Sequence, residues 1–315
     1  MKSLKVCFIG IGSIAKRHIS NLSNICSENG IDIKIDALRR PESGVTDVDQ
    51  MLSHIYYSIV DVPSDYDIAF ITNPTECHLY TLRLFHNKAK HFFIEKPVTT
   101  IEEIAQINGI HLKSDSIYYV AAPLRYNAVI QYIKKNIDIN DVISVRSISS
   151  SYLPEWRSGT DYRNTYSAHK KMGGGVSIDL IHEWDYLTYI FGAPSNVLYL
   201  SGKVSNLEID CEDYAIYMAT YPNKIIELHL DYFGRKTIRE IQLITKYDTI
   251  VGDIANNRIK FLKEGHEIDF AEQRNDYQKR ELQYFLNMIE YNKKSDNDIK
   301  NAVSILKLTQ GEAKW

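Results

Sequence analysis

Short apolar runs alternate with stretches of helical period along the first third of the chain. Leu4–Ile9, Ile33–Leu38, Ile68–Thr72, His91–Ile94 and Ile117–Ala122 read as strands, with helices predicted over Ile14–Cys26, Thr75–Lys88 and Ile101–Leu112. Strands that alternate with helices predict parallel βαβ units with right-handed crossovers. Near Pro123 the pattern changes. After a helix over Asn127–Lys135, the segments Val142–Ser150, Val197–Val204, Tyr214–Tyr221, Ile225–Tyr232, Ile238–Thr245 and Thr249–Asp253 alternate or are rich in β-formers, which predicts a large, mostly antiparallel sheet. One glycine-led helix over Val176–Phe191 interrupts it, and helices over Tyr277–Tyr291 and Asp298–Thr309 end the pattern. The expected architecture is α/β: a doubly wound parallel domain over residues 1–123, then an α+β domain over 124–315.

Composition narrows the class. With 315 residues, 44% apolar and 24% charged, the chain reads as a soluble globular protein of two domains. A net charge of −3 gives no argument for nucleic acid or an acidic membrane surface. Apolar runs fall far short of a membrane span, and the start of the chain carries no signal-peptide core, so a cytoplasmic location is expected. The four cysteines (Cys7, Cys26, Cys77, Cys211) are scattered, which suits reduced thiols. No ligand set for a metal stands out.

The first strand runs into Gly10-Ile11-Gly12-Ser13-Ile14-Ala15 and then a helix. In a dinucleotide grip the first glycine permits a tight turn and the second lets the backbone approach a pyrophosphate. A small third residue packs the helix on the sheet, and the helix start offers N–H groups to the anion. The second strand ends Asp36-Ala37-Leu38-Arg39-Arg40. Arginines stand where an acid would bind the ribose of NAD, which favours NADP; NAD is the alternative, served by Asp32 or Asp36.

Three further segments occur in order: Thr72-Asn73-Pro74-Thr75 through His78, Glu95-Lys96-Pro97, and Gly173-Gly174-Gly175 followed by Asp179 and His182. Together with the glycine turn, they resemble the Gfo/Idh/MocA oxidoreductases, named for glucose-fructose oxidoreductase and inositol dehydrogenase, over essentially the whole chain. The resemblance implies a Rossmann domain and a catalytic cluster of Lys96, Asp179 and His182. It implies cofactor contacts at Gly10, Gly12, Ser13, Ile14, Arg39, Arg40, Thr72, Asn73, Pro74, His78, Glu95 and Lys96. It also implies a sugar or nucleotide-sugar substrate, as in bacterial surface-sugar synthesis, and a homodimer or homotetramer paired through the outer face of the antiparallel sheet. Many members place His four residues after Asp. Here the spacing is three, with Glu183 in the fourth position, a pattern similar to that surface-sugar branch. Whether His182 or Glu183 exchanges the proton stays open.

The chemistry is consistent with these residue types. Oxidising a secondary alcohol needs a base within reach and a fixed carbinol carbon. Lys96 follows a parallel strand at the edge where such sheets bind ligands. Asp179, His182, Glu183 and Tyr186 recur at helical spacing on one face, and Asp179 is placed to orient the His182 imidazole. The glycines before them suggest close backbone approach to a ligand. Trp156, Arg157, Arg163 and Tyr166 lie in an aromatic, arginine-rich loop suited to a sugar ring and an anionic group. Arg125 and Asn127 are further substrate candidates. A redox glycosidase of the same family and a non-catalytic dinucleotide sensor are the competing readings; the retained Lys96, Asp179 and His182 argue against the sensor.

Overall fold

Residues 2–313 are described by the computed structural model. The first unit contains β1 (Ser3–Ile9), α1 (Ser13–Glu28), β2 (Asp32–Leu38), β3 (His54–Tyr56), β4 (Tyr66–Ile71), α2 (His78–Phe85), β5 (Ala89–Ile94) and β6 (Tyr118–Val120). These six strands form one sheet in the order β3-β2-β1-β4-β5-β6, every pair parallel. The order reverses between β1 and β4, which creates a switch point where their carboxyl ends open a crevice. One face buries Val6, Phe8, Ile68, Phe70 and Phe93; the other buries Cys7, Ile9, Ala69, Ile71 and Phe92. Burial on both faces is why these strands read as continuous apolar runs.

The second unit begins at Ala122. Its elements are α3 (Ala128–Asn136), β7 (Val142–Tyr152), α4 (Val176–Asp179), α5 (His182–Phe191), β8 (Asn196–Gly202), β9 (Tyr214–Thr220), β10 (Ile225–Asp231), β11 (Phe233–Thr245), β12 (Thr249–Asp253), β13 (Arg258–Phe261) and β14 (His266–Asp269). The eight strands are ordered β14-β13-β12-β11-β7-β10-β9-β8. Pairing is antiparallel except between β7 and β10, which run parallel. Its inner face buries Val145, Leu228, Leu230, Ile241 and Leu243.

Two helices follow, α6 (Arg274–Glu290) and α7 (Ile299–Leu308). Gln278–Val303 belong to the first unit, so the partition is not a single cut near residue 123. The cause is the apolar face of α6: Leu282, Phe285, Leu286 and Met288 join the core against α1 and the parallel sheet, and Tyr119 donates to the buried Glu281 at 3.1 Å.

The segment expected as a helix over Ile101–Leu112 is instead a 3-10 helix at Ile104–Gly109. Ile101, Ile104, Ile107 and Ile110 recur every third residue, which is the 3-10 period. The glycine-led helix is broken at Leu180–Ile181, where the amide of Ile181 bonds back to Ile178. Strands β3, β13 and β14 were not expected. The first is three residues long. The outward positions of the other two are charged pairs, Arg258 with Asp269 and Lys260 with Glu267, so they carry little apolar signal. No helix among the described residues is long and apolar enough to cross a membrane.

Candidate functional site

In the first unit, the site begins where β1 ends. Gly10 has φ +85°, and a Cβ there would sit 2.9 Å from the Asn73 Cα. Glycine is therefore required both by the backbone and by the close passage of the turn after β4. Gly12 is extended and caps α1 without a side-chain hydrogen bond, and no acidic residue occupies the first turn. A Cβ on Gly12 would meet nothing within 4 Å. The first amides of α1, from Ser13 and Ile14 onward, thus carry an unopposed positive dipole end, which fits a pyrophosphate.

Thr72 donates through Oγ1 to the carbonyls of Ile9 (3.0 Å) and Gly10 (2.8 Å), locking the two strand ends of the switch point together. Asn73 donates to Thr81 Oγ1 at 2.7 Å, while Pro74 is exposed. The buried His78 ring spans two turns, with Nδ1 3.0 Å from the Pro97 carbonyl and Nε2 2.9 Å from that of Asn73. Burial pushes its pKa down. Glu95 Oε1 lies 2.6 Å from Nε2 of His18 on α1, and Glu95 Oε2 accepts the Lys96 amide at 3.2 Å. Burial alone would raise the Glu95 pKa, but His18 together with the Lys96 charge and amide outweighs it and the carboxyl is held low. His18 packs edge-on against Phe93 at 5.0 Å. The Lys96 turn is thereby fastened on one side to the dinucleotide helix and on the other to the Asn73 turn. The Lys96–Pro97 peptide is cis.

The arginines after β2 differ from each other. Arg39 is buried and bidentate to Asp49, at 3.0 and 2.9 Å, whereas Arg40 is exposed. Asp36 is fully buried and accepts from Tyr66 at 2.8 Å. That engagement leaves it unsuited to bind a ribose.

In the second unit, Asp179 ends α4 and is buried. It accepts from the hydroxyl of the fully buried Tyr232 at 2.6 Å, and its charge is the leading cause that raises the Tyr166 pKa. Trp156 stands edge-on to Tyr232 at 5.2 Å and donates to Ser151 at 2.9 Å. The Arg157 guanidinium lies over the Tyr166 ring at 5.2 Å. Trp156, Arg157, Tyr166 and Asp179 are thus brought together. Tyr232 belongs to the same cluster and was not singled out from the sequence, because nothing in its local pattern separates it from other apolar strand residues. His182 opens α5 and is partly exposed.

Other candidates serve the fold. Glu183 is 0% exposed and ion-paired with Arg239 of β11 at 2.9 Å, and burial raises its pKa. Tyr186 meets Ser147 of β7 at 2.7 Å. Glu183 and Tyr186 of the supposed polar stripe therefore face the sheet, not a ligand. Arg125 is bidentate to Asp185, both bonds 2.8 Å. Asn127 caps α3 through Val129 and donates to Glu272 at 2.7 Å. Arg163 is held by Asp161 and Glu208 at the surface. The glycines have an internal reason as well. A Cβ on Gly174 would lie 2.2 Å from the Tyr166 carbonyl, and one on Gly175, at φ +121°, would lie 2.4 Å from Glu212 Oε1. Glu212 in turn accepts from the Ser177 hydroxyl at 2.5 Å. The close approach that these glycines permit is to the chain itself.

Comparison with known proteins agrees with this layout. Residues 4–121 match the Gfo/Idh/MocA family model described as an oxidoreductase family with an NAD-binding Rossmann fold. Residues 134–311 match the family's C-terminal alpha/beta domain. An uncharacterized oxidoreductase, YrbE of Bacillus subtilis (strain 168), is 24% identical over 229 residues, 70% of this chain; the chain spans 65% of that relative's length. Among solved structures, UDP-N-acetylglucosamine 3-dehydrogenase GnnA from Acidithiobacillus ferrooxidans aligns with TM-score 0.78 at 18% identity, covering 98% of this chain and 96% of that one. Levoglucosan dehydrogenase in complex with NADH aligns with TM-score 0.85 at 14% identity, with the same coverage. These structural likenesses concern the fold. The two family matches, which together span most of the sequence, carry the assignment: the chain belongs to the Gfo/Idh/MocA oxidoreductase family, with its NAD-binding Rossmann fold and its C-terminal alpha/beta domain.

Proposed function

We propose that this chain transfers a hydride between a nicotinamide cofactor and a hydroxyl or keto carbon of a sugar or nucleotide-sugar, with Lys96, Asp179 and His182 as the catalytic residues. The observation that carries the reading is the fastening of the Lys96 turn to the dinucleotide helix, through Glu95 and His18 at 2.6 Å. A catalytic ammonium must be registered against the cofactor, and this linkage provides that registration within one unit. A bound nicotinamide supplies the hydride acceptor or donor. Gly10, Gly12, Ser13 and Ile14 hold the pyrophosphate, while Thr72, Asn73, Pro74, His78 and Glu95 frame the cradle. Lys96 polarises the substrate oxygen. His182 exchanges the proton, since Glu183 is committed to Arg239. Trp156 and Tyr166 border the sugar ring, and Arg157 takes an anionic group.

The reading is tested with purified protein, NAD or NADP, and a sugar panel that includes UDP-N-acetylglucosamine and levoglucosan, the sugars in the names of the two structural relatives. Net formation of reduced cofactor is expected. Turnover of a glycoside with no net reduced cofactor would point to the redox glycosidase instead.

NADP is the favoured cofactor, and the preference rests on Arg40, because the Arg39 guanidinium is already neutralised by Asp49. Arg40→Ala is expected to weaken NADP binding about tenfold while leaving NAD binding unchanged, as loss of a charge-assisted phosphate contact implies. Equal losses for both cofactors in a titration would contradict the assignment. Pairing of copies is proposed through the outer face of the eight-stranded sheet. Leu198, Leu200, Ile216 and Met218 are 66, 61, 40 and 38% exposed there, and a contiguous apolar patch of this kind suits an interface. Light scattering is expected to give a dimer or tetramer; a monomer at working concentration would contradict it.

A further inference from the structure

We propose that Tyr232 is a positioning residue that holds the Asp179 carboxyl group in one orientation, an inference that rests on Asp179 taking part in the chemistry. Tyr232 lies at the junction of β10 and β11. Its hydroxyl donates to the Asp179 carboxyl group. At 2.6 Å, the Tyr232 contact has the length of a charge-assisted O–H···O⁻ bond.

The Tyr232 ring is itself held in place by the edge of Trp156. Burial first, then the Asp179 charge, drives the Tyr232 hydroxyl far above its ordinary range. The proton therefore stays on the phenol, which keeps Tyr232 a hydrogen-bond donor to Asp179. Ionisable groups around the cluster include Tyr166, whose pKa the Asp179 charge raises; the buried Cys211 thiol, which burial and then the neighbouring carboxylates push up to about 12; Glu212, engaged by Ser177; Arg157 over Tyr166; and His182 at the start of the next helix. A carboxylate fixed in this way, three residues before a histidine, is suited to hold an imidazolium as it gains and loses its proton.

The first unit contains a control. Tyr66 donates to the buried Asp36 at 2.8 Å in a contact of the same chemistry outside the proposed catalytic cluster. Full-length protein carrying carboxyl-¹³C aspartate is titrated by NMR, with the Asp179 signal assigned from Asp179→Asn. Tyr232→Phe is expected to raise the Asp179 midpoint by about one pH unit, the effect of losing one hydrogen bond to a charged group. Tyr66→Phe is expected to leave it unmoved. With whichever of UDP-N-acetylglucosamine and levoglucosan is turned over, the acidic limb of the kcat/KM profile is expected to shift upward by the same amount, kcat falling more than KM changes. An Asp179 midpoint unchanged in folded Tyr232→Phe overturns the inference, as does a moved midpoint with an unmoved rate profile. If Asp179→Asn retains full activity, the catalytic reading of Asp179 fails instead, and the NMR titration still decides the phenol contact.

Discussion

Replacing Lys96 by methionine is expected to lower kcat by about 10²–10⁴-fold, the usual worth of a positioned acid–base group, while cofactor affinity stays within about twofold, well under the 1.4 kcal/mol that a tenfold change represents. The expectation is sharp because of how the turn is anchored. Its fastenings are the Lys96 amide to Glu95, Glu95 to His18, and the Pro97 carbonyl to His78. None of these hydrogen bonds is made by the lysine ammonium, whose charge acts on Glu95 through space. Methionine preserves the unbranched stem, so the variant removes the charge and leaves the frame. Steady-state kinetics beside a cofactor titration reads the two effects separately. Unchanged kcat with normal cofactor binding would remove Lys96 from the chemistry.

The largest stability effect is expected at the Arg125–Asp185 pair. The two side chains are 3 and 9% exposed, joined by two bonds of 2.8 Å, and the guanidinium also lies over the Tyr189 ring at 5.2 Å. Arg125→Ala or Asp185→Ala removes one half of this buried bidentate pair, at a cost of about 3–5 kcal/mol. Exchanging both, Arg125→Met with Asp185→Leu, is expected to recover most of that loss, because both charges leave the buried site together. Chemical denaturation of the two single variants and the double variant provides the check. If the single variants unfold at the wild-type midpoint but lose affinity for the sugar, Arg125 is a substrate ligand, as its sequence position suggested.

The contrast between Arg125 and Lys96 shows which features were legible in the sequence. Strands β1, β4 and β5 could be read because both faces of their sheet are buried and their carboxyl-terminal halves are runs of apolar residues, whereas β2 shows Ile33, Ile35, Ala37 and Leu38 among polar residues. The glycine turn could be read because Gly10 and Gly12 answer two separate backbone demands. Charged partners separated widely in sequence could not be read. Nothing near Arg125 announces Asp185, sixty residues on, nor does anything near Glu183 announce Arg239. A charged residue beside a motif therefore looked like a ligand contact when its charge was already neutralised inside the fold. Arg39 is the same case at shorter range, since Asp49 lies ten residues on, across an irregular loop. The Gly173–Gly175 run was recognisable, but its cause was not. Its conformations make room for the Tyr166 carbonyl and Glu212, and no local pattern encodes such a contact. Tyr232 was missed because a tyrosine in a β-rich run reads as packing until the carboxylate it meets is known.

Direct isotope transfer tests the central claim most closely. A sugar that the enzyme oxidises, deuterated at the reacting carbon, is incubated with oxidised cofactor, and the reduced nicotinamide is isolated and examined by mass spectrometry. The account predicts that deuterated reduced cofactor accumulates in step with oxidised sugar, and that Lys96→Met suppresses both. Sugar consumed with no accumulated reduced cofactor, or reduced cofactor whose new hydrogen comes from solvent, would contradict it.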